Sequence, residues 1–121
     1  MKNRRLLGGQ WEKLAESFLN KRGLKTLERN YNSRFGEIDL IMMDRQTLVF
    51  TEVRYRRDSA HGSGAESVTF TKQKRITRAA QRFLQQHRHH ASLACRFDVV
   101  SIGEEEGRVL FDWIRNAFDA V

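Results

Sequence analysis

Three carboxylates and one guanidinium interrupt the two apolar runs of the stretch GEIDLIMMDRQTLVFTEVRYR, which begins at Gly36, near the ends of its predicted strands. The acids are Glu37, Asp39 and Glu52, and Arg54 supplies the guanidinium. Carboxylates that lie close together repel one another and cost stability unless a positive charge lies between them. A hard divalent cation removes that cost, because it binds through one or two carboxylates together with water and phosphate oxygens. These residues therefore indicate a Mg²⁺ or Mn²⁺ site beside a phosphate group, with the guanidinium as a further positive charge.

The same stretch predicts a β-hairpin, because apolar residues recur at strand spacing on both sides of a polar turn. If the turn is built around Arg45–Gln46, Asp39 lies opposite Glu52, and such cross-strand partners have Cβ atoms about 4.5–5.5 Å apart. Strict alternation of faces places Ile38 and Leu40 together, on the face that Asp39 does not occupy. The alternative is that these strand-end acids are solvated and pair with nearby arginines, and the pattern favours neither interpretation.

Two amphipathic helices are predicted on either side of the hairpin. Apolar residues at i, i+3, i+4 and i+7 predict a first helix from Trp11 that stops near Gly23, since glycine suits the position after a helix end. The same spacing predicts a second helix from about Lys72 to His89, with Thr71 as its N-cap.

Further strands are predicted for CRFDVVSIG and RVLFDWI, and a short strand followed by an Asn/Ser-rich loop is predicted for LKTLERNYNSRF. The segment RRDSAHGSGAES predicts a loop before the second helix. The resulting order, α-β-β-α-β-β, predicts an α/β domain in which a mixed sheet is flanked by helices. Because the chain contains no proline, no repeat and no Gly/Ser-rich linker, we expect residues 1–121 to form a single domain.

The charge balance is basic, with 22 Lys and Arg residues against 15 Asp and Glu residues and a formal net charge of +7. Such an excess favours polyanionic partners, nucleic acid first. The candidates for phosphate contacts are Arg54 and Arg56 at the strand end, and Lys72 and Arg75 on the second helix. The alternatives are a solvated basic face and a surface that binds an acidic protein.

No run approaches the roughly 20 apolar residues of a membrane span, and the one cysteine, Cys95, is compatible with a reducing compartment. We therefore expect a cytoplasmic protein with no membrane partner.

The chain resembles a known family at several of these positions. The acids Asp39 and Glu52, with the tripeptide Glu-Val-Arg that ends at Arg54, resemble the PD-(D/E)XK nuclease motif of the restriction-endonuclease-like fold. The wider set of GEIDLI, TLVFTEVRYR, K..RI..AA..FL, RFDVV and WIRNAF is similar to the YraN-type family of uncharacterised bacterial proteins, which is likened to archaeal Holliday-junction resolvases. This resemblance covers nearly the entire chain.

The resemblance implies a metal-dependent endonuclease that hydrolyses phosphodiester bonds at branched or structured DNA, with DNA more expected than RNA and a homodimer by analogy. Asp39 and Glu52 would bind the metal, Glu12 would complete the metal site from the first helix, and Arg54 occupies the place of the motif's lysine. Arginine stays protonated, so it offers charge and hydrogen bonds but no general base. Trp11 stands where the family tends to have glycine. The alternative is therefore a catalytically weakened or inactive nucleic-acid-binding module of the same fold.

Overall fold

A computed structural model describes residues 10–56 and 68–121, which form one five-stranded sheet with a helix on each face. In chain order the elements are α1 (Gln10–Asn20), β1 (Lys25–Ser33), β2 (Gly36–Asp44), β3 (Thr47–Arg56), α2 (Phe70–Gln86), a short 3₁₀ helix (Arg88–His90), β4 (Ala94–Glu105) and β5 (Arg108–Phe118). Apart from Arg56, the loop predicted before the second helix lies outside the described residues. Within the described ranges, neither helix is long and apolar enough to cross a membrane.

The strands are arranged in the order β1-β2-β3-β4-β5, and only β3 and β4 are parallel. A parallel pair needs a long crossover connection, and α2 lies in the one that joins β3 to β4. The predicted class, an α/β domain with a mixed sheet flanked by helices, is confirmed. The predicted order did not count β1, because the sequence of this segment predicts only a short strand followed by an Asn/Ser-rich loop. The pairing of Tyr31 with Ile38 and of Asn32 with Glu37 extends β1 through that end, so pairing overrides a poor local propensity.

The hairpin of β2 and β3 has the predicted turn, with Asp44 paired to Thr47 and Arg45 in a left-handed conformation (φ 58°). Its ladder runs to Leu40 and Thr51. The prediction that Ile38 shares a face with Leu40 is wrong, because Ile38 packs with the α2-side core and Leu40 with the α1-side core. Strict alternation therefore fails between these two residues, at the point where β2 diverges from β3.

Each face of the sheet carries its own apolar core. On β3, Val49 and Val53 pack on the side of α1, whereas Leu48 and Phe50 pack on the side of α2. Phe83 of α2 lies edge-to-face against Phe50, with ring centroids 6.0 Å apart. Burying an aromatic or branched side chain of this kind contributes about 1.5–3 kcal/mol, so the central strand is the most strongly fixed part of the sheet.

The second helix begins two residues earlier and ends three residues earlier than its spacing predicts. Thr69, rather than Thr71, is the N-cap, because Thr69 has extended dihedrals and its hydroxyl accepts a hydrogen bond from the backbone N–H of Lys72 at 3.1 Å. At the other end His87 leaves the helical conformation and its ring stacks on Phe83, with centroids 4.0 Å apart. The cap places Lys72 in the first turn of α2, close to the end of β3.

Asp98, from the RFDVV segment, is a structural residue that holds β5 against β4. Its side chain is 1% exposed and accepts hydrogen bonds from Arg96 Nε at 3.0 Å, Trp113 Nε1 at 2.9 Å and the backbone N–H of Asn116 at 2.9 Å. A buried charge is tolerated when it is paired and fully hydrogen-bonded. These bonds span the register shift between β4 and β5. Asp98 therefore has a structural role and is not a candidate site residue.

Candidate functional site

The divergence of β2 from β3 positions the first candidate residue, Asp39. One residue beyond the last pair of the ladder, its Oδ2 accepts a hydrogen bond from the backbone N–H of Val53 at 2.8 Å. The carboxyl group thus accepts the hydrogen bond that a backbone carbonyl of β2 would accept in a continued ladder. The ladder of β2 and β3 ends at Leu40 and Thr51, one residue short of the predicted pair of Asp39 and Glu52, so that pair stays a prediction.

Asp39 lies in an environment that opposes its ionisation. Burial raises its pKa most, the negative charge of Glu52 is the next cause, and Glu12 and Glu37 add to the effect. The hydrogen bond from Val53 acts in the opposite direction. Together these influences raise the pKa of Asp39 from an ordinary 3.8 to about 8. The carboxyl is therefore mostly protonated at neutral pH, and a cation beside it would favour its ionised form.

Glu12 reaches this position from the first turn of α1. Burial raises its pKa, followed by the charge of Glu37 and then that of Glu52, whereas a hydrogen bond with the Asp39 side chain lowers it. Trp11 stacks on Tyr55 of β3 with ring centroids 5.2 Å apart, which ties the start of α1 to the strand. The residue that departs from the family pattern therefore anchors the helix that carries Glu12.

Asn30 bridges two of the acids from β1. In the amide orientation that satisfies its neighbours, Asn30 Nδ2 lies 3.0 Å from Glu12 Oε1 and 3.3 Å from Glu37 Oε2. Asn30 and Asp39 also line a small cavity of about 140 Å³ beneath α1. Sequence reasoning missed Asn30. Its backbone is left-handed (φ 50°), a conformation that asparagine tolerates better than most residues, so the residue type was the one available signal.

Glu52 forms an ion pair with a lysine of α2, the helix on the face of the sheet opposite α1. Lys72 Nζ lies 2.6 Å from Glu52 Oε2, with the lysine side chain 43% exposed and the glutamate 6% exposed. The sequence predicts Lys72 as a phosphate contact, but in the structure its ammonium pairs with the acid. A lysine ammonium is thus present at this site even though the motif's lysine position is Arg54.

The other predicted basic residues lie around this pair. Arg54 is on the same face of β3 as Glu52, because Val53 between them belongs to the opposite core, and its side chain is half-buried. Arg56 is the last residue of β3 and is also half-buried. Arg75 is exposed on α2. Lys72 of α2 is thus the cation that the structure shows in contact with Glu52, and Arg54 lies two residues along the same face of β3.

The donor chemistry of these acids fits a hard divalent ion. Mg²⁺ is held by one or two carboxylates, with water and substrate oxygens as the remaining ligands, and Asp39 with Glu52 supplies such a pair. Within residues 10–56 and 68–121, no three Asp, Glu, His or Cys side chains form a group ready to hold a metal. The predicted set of Glu12, Asp39 and Glu52 is thus a neighbourhood of mutually repelling acids, without the arrangement of a finished three-ligand site.

Comparison with known proteins places the chain in a family. The model of the uncharacterised protein family UPF0102 matches residues 11–102. The chain belongs to the UPF0102 family. The UPF0102 protein of Nitrosococcus oceani is 50% identical over 111 residues, which cover 92% of this chain and 90% of that protein. The UPF0102 protein of Stutzerimonas stutzeri is 49% identical over 113 residues, 93% of this chain and 94% of its own length. The YraN-type resemblance is thereby confirmed at the level of the family.

The UPF0102 match contains every acid of the site as well as Lys72, because it extends from the first turn of α1 into β4. All of β5 lies beyond it. The part of this UPF0102 chain that the family model describes is therefore also the part that positions the acids.

Proposed function

We propose that this UPF0102 protein is a metal-dependent endonuclease with a restriction-endonuclease-like fold, which hydrolyses phosphodiester bonds in branched or otherwise structured DNA. The observation that carries the proposal is the group of acids where β2 leaves β3. Burial, and after it the charges of the neighbouring acids, raise the pKa of Asp39 to about 8, and a fold gains nothing in stability from holding a carboxyl in this way. Strongly perturbed carboxyls of this kind are typical of functional sites.

The superfamily assignment is supported by where the motif residues lie. Asp39 and Glu52 are on adjacent antiparallel strands close to the last pair of their ladder, and the charge of Glu52 is one of the causes that raise the pKa of Asp39. The ladder ends here, whereas the rest of the central strands is covered by a helix on each face. A basic helix, α2, starts beside the same place.

In this mechanism Asp39 and Glu52 would hold the ion, and Glu12 would assist through its hydrogen bond with Asp39. When bound, Mg²⁺ or Mn²⁺ polarises phosphate oxygens and lowers the pKa of water. Asp39 would act as a ligand in its ionised form, having released its proton to the solvent. Lys72 keeps Glu52 in place and adds positive charge near the scissile phosphate. Arg54 stabilises the negative charge that develops on the phosphoryl oxygens, because its guanidinium stays protonated throughout.

Cleavage assays with matched variants test this proposal. Linear, nicked and four-way DNA are incubated with purified protein in Mg²⁺ or Mn²⁺, alongside Asp39→Asn and Glu52→Gln. Removing a group that stabilises the transition state typically costs about 10²–10³ in rate, so both variants should lose at least that factor. Asp112→Asn, which removes an exposed acid on β5, is the control and should cleave like the wild type. Equal cleavage by wild type and Asp39→Asn would contradict the proposal.

The second candidate is a nucleic-acid-binding module of the same fold without turnover. It is favoured by Arg54 in the place of the motif's lysine and by the ion pair that occupies Glu52. The Arg54→Lys variant separates the two candidates, because cleavage that appears only in this variant would support the binding module. Lys72→Gln is the complementary variant, and loss of cleavage with retained DNA binding would place Lys72 in the reaction. The cytoplasmic location and the homodimer remain predictions.

A further inference from the structure

A separate groove of about 820 Å³ lies between the β1–β2 turn and the outer face of α2. The turn contributes Arg34 and Phe35, and the helix contributes Arg78, Arg82 and Gln85. None of the acids of the candidate site lines it. The groove nevertheless adjoins that site, because Asn32 on its wall pairs across the hairpin with Glu37, so a chain lying in the groove would lead toward the acids.

The groove is positively charged. Three arginines line it, and among the described residues no aspartate or glutamate does. Arg75, Arg78 and Arg82 are spaced i, i+3 and i+7 along α2, so they form one stripe along the helix. All three are exposed. A polyanion that follows this stripe would meet a row of cations with a regular spacing.

The rest of the lining offers contacts for bases. The guanidinium of Arg34 lies 5.1 Å from the centre of the Phe35 ring, which stands at the rim with a half-buried face. Asn32, Gln81 and Gln85 contribute amide groups, which donate and accept hydrogen bonds. The floor is fixed, because Tyr31 Oη donates to Gln86 Oε1 at 2.6 Å.

We propose that this groove binds a single-stranded segment of nucleic acid that continues from the cleaved site. The proposal rests on the proposed function, since it defines the substrate as a duplex or junction with an unpaired strand. A charged groove combined with aromatic side chains is the arrangement that recognises single strands, whose bases are free to stack. A duplex keeps its bases stacked on one another, so it would contact the arginines of the rim and leave the amide-lined interior unused. An acidic protein would not need the aromatic and amide lining.

Binding experiments without cleavage test the groove. Fluorescence anisotropy in EDTA compares a single-stranded oligonucleotide, a blunt duplex and a duplex with a single-stranded tail, for the wild type and for the double variant Arg78→Gln, Arg82→Gln. Each phosphate contact on a single strand contributes a salt slope of about 0.7. The double variant should therefore bind the tailed duplex about 25-fold more weakly at about 0.1 M salt, with a slope smaller by about 1.4. Binding of the blunt duplex should change by much less.

The control is the double variant Lys21→Gln, Arg108→Gln, which removes two exposed positive charges away from the groove. It should bind all three probes like the wild type. An equal loss for tailed and blunt duplex, or no loss at all, would overturn the proposal. The two proposals can be refuted separately. If the Arg78→Gln, Arg82→Gln variant binds the tailed duplex as tightly as the wild type, the groove proposal is refuted whether or not the protein cleaves DNA. Absent cleavage in Mg²⁺ with tail binding still dependent on Arg78 and Arg82 refutes the nuclease alone.

Discussion

Replacing Asp39 by asparagine should stabilise the protein, and by an amount that grows with pH. Asparagine keeps an oxygen to accept the hydrogen bond from Val53 and removes the charge that Glu52 and Glu12 oppose. The pKa of Asp39 is about 8 in the folded chain and 3.8 is its ordinary value. Between these two pH values the unfolded chain has lost the proton and the folded chain retains it. The free energy of unfolding of the wild type therefore falls by about 1.4 kcal/mol for each pH unit in this window.

The variant lacks this titration, so its advantage over the wild type should increase by about 3 kcal/mol between about pH 5 and about pH 7. Urea denaturation followed by tryptophan fluorescence at several pH values measures it. Above about pH 8 the two curves should run parallel, because Asp39 is then ionised in both states. Adding Mg²⁺ at pH 7 should stabilise the wild type more than the variant, since an ion that binds only the folded state raises its stability.

Asp112→Asn serves as the control for net charge, because it removes the same charge from the exposed side of β5. Wild-type and Asp39→Asn curves that stay a constant distance apart across this pH range would refute the inference that burial and the neighbouring acids raise the pKa of Asp39. The metal proposal would then lose its main support.

Three further substitutions test the fold around the site by urea denaturation. Thr51→Val should raise the free energy of unfolding by about 1 kcal/mol, because the fully buried Thr51 hydroxyl has no hydrogen-bond partner among the described residues; a loss of stability would contradict this. Gly36→Ala should cost about 1–2 kcal/mol, because Gly36 has φ 155° and an added Cβ would lie 3.2 Å from Cβ of Arg75; a neutral effect would show that α2 can move. Asp98→Ala should cost about 3–5 kcal/mol, because it breaks the buried ion pair with Arg96 and removes the acceptor for Trp113 Nε1 and the Asn116 N–H; Arg96 would keep its ion pair with Asp44. A cost below about 1 kcal/mol would contradict a structural role for Asp98.

The hairpin was predictable because its information is local. Alternating apolar residues on both sides of Arg45–Gln46 define the turn and the register that runs from Asp44 and Thr47 to Leu40 and Thr51. The reversal of faces between Ile38 and Leu40 was not predictable, since it follows from the divergence of two strands and from the backbone of Asn30 on a third. The residue pattern along one strand does not indicate how the neighbouring strands pair with it.

The acids were also easier to predict than their partners. Asp39 and Glu52 stand out in the sequence because they interrupt apolar runs, and Glu12 stands out only through the family resemblance. The ion pair between Lys72 and Glu52 joins residues 20 positions apart, and it depends on the start of α2. The predicted cap, Thr71, was wrong by two residues, and one residue of shift along a helix turns a side chain by about 100°. The sequence therefore could not predict that the Lys72 side chain points toward Glu52.

The stacking of Trp11 on Tyr55 gives the unmodified chain an optical reporter. An indole ring packed face to face on a phenol, one residue before Glu12, should change its emission whenever the first turn of α1 shifts. The only other tryptophan, Trp113, donates its Nε1–H to Asp98 and is part of the framework of β5. A Trp113→Phe variant would therefore leave a single fluorophore, so ion or DNA binding could be followed by titration without any attached dye.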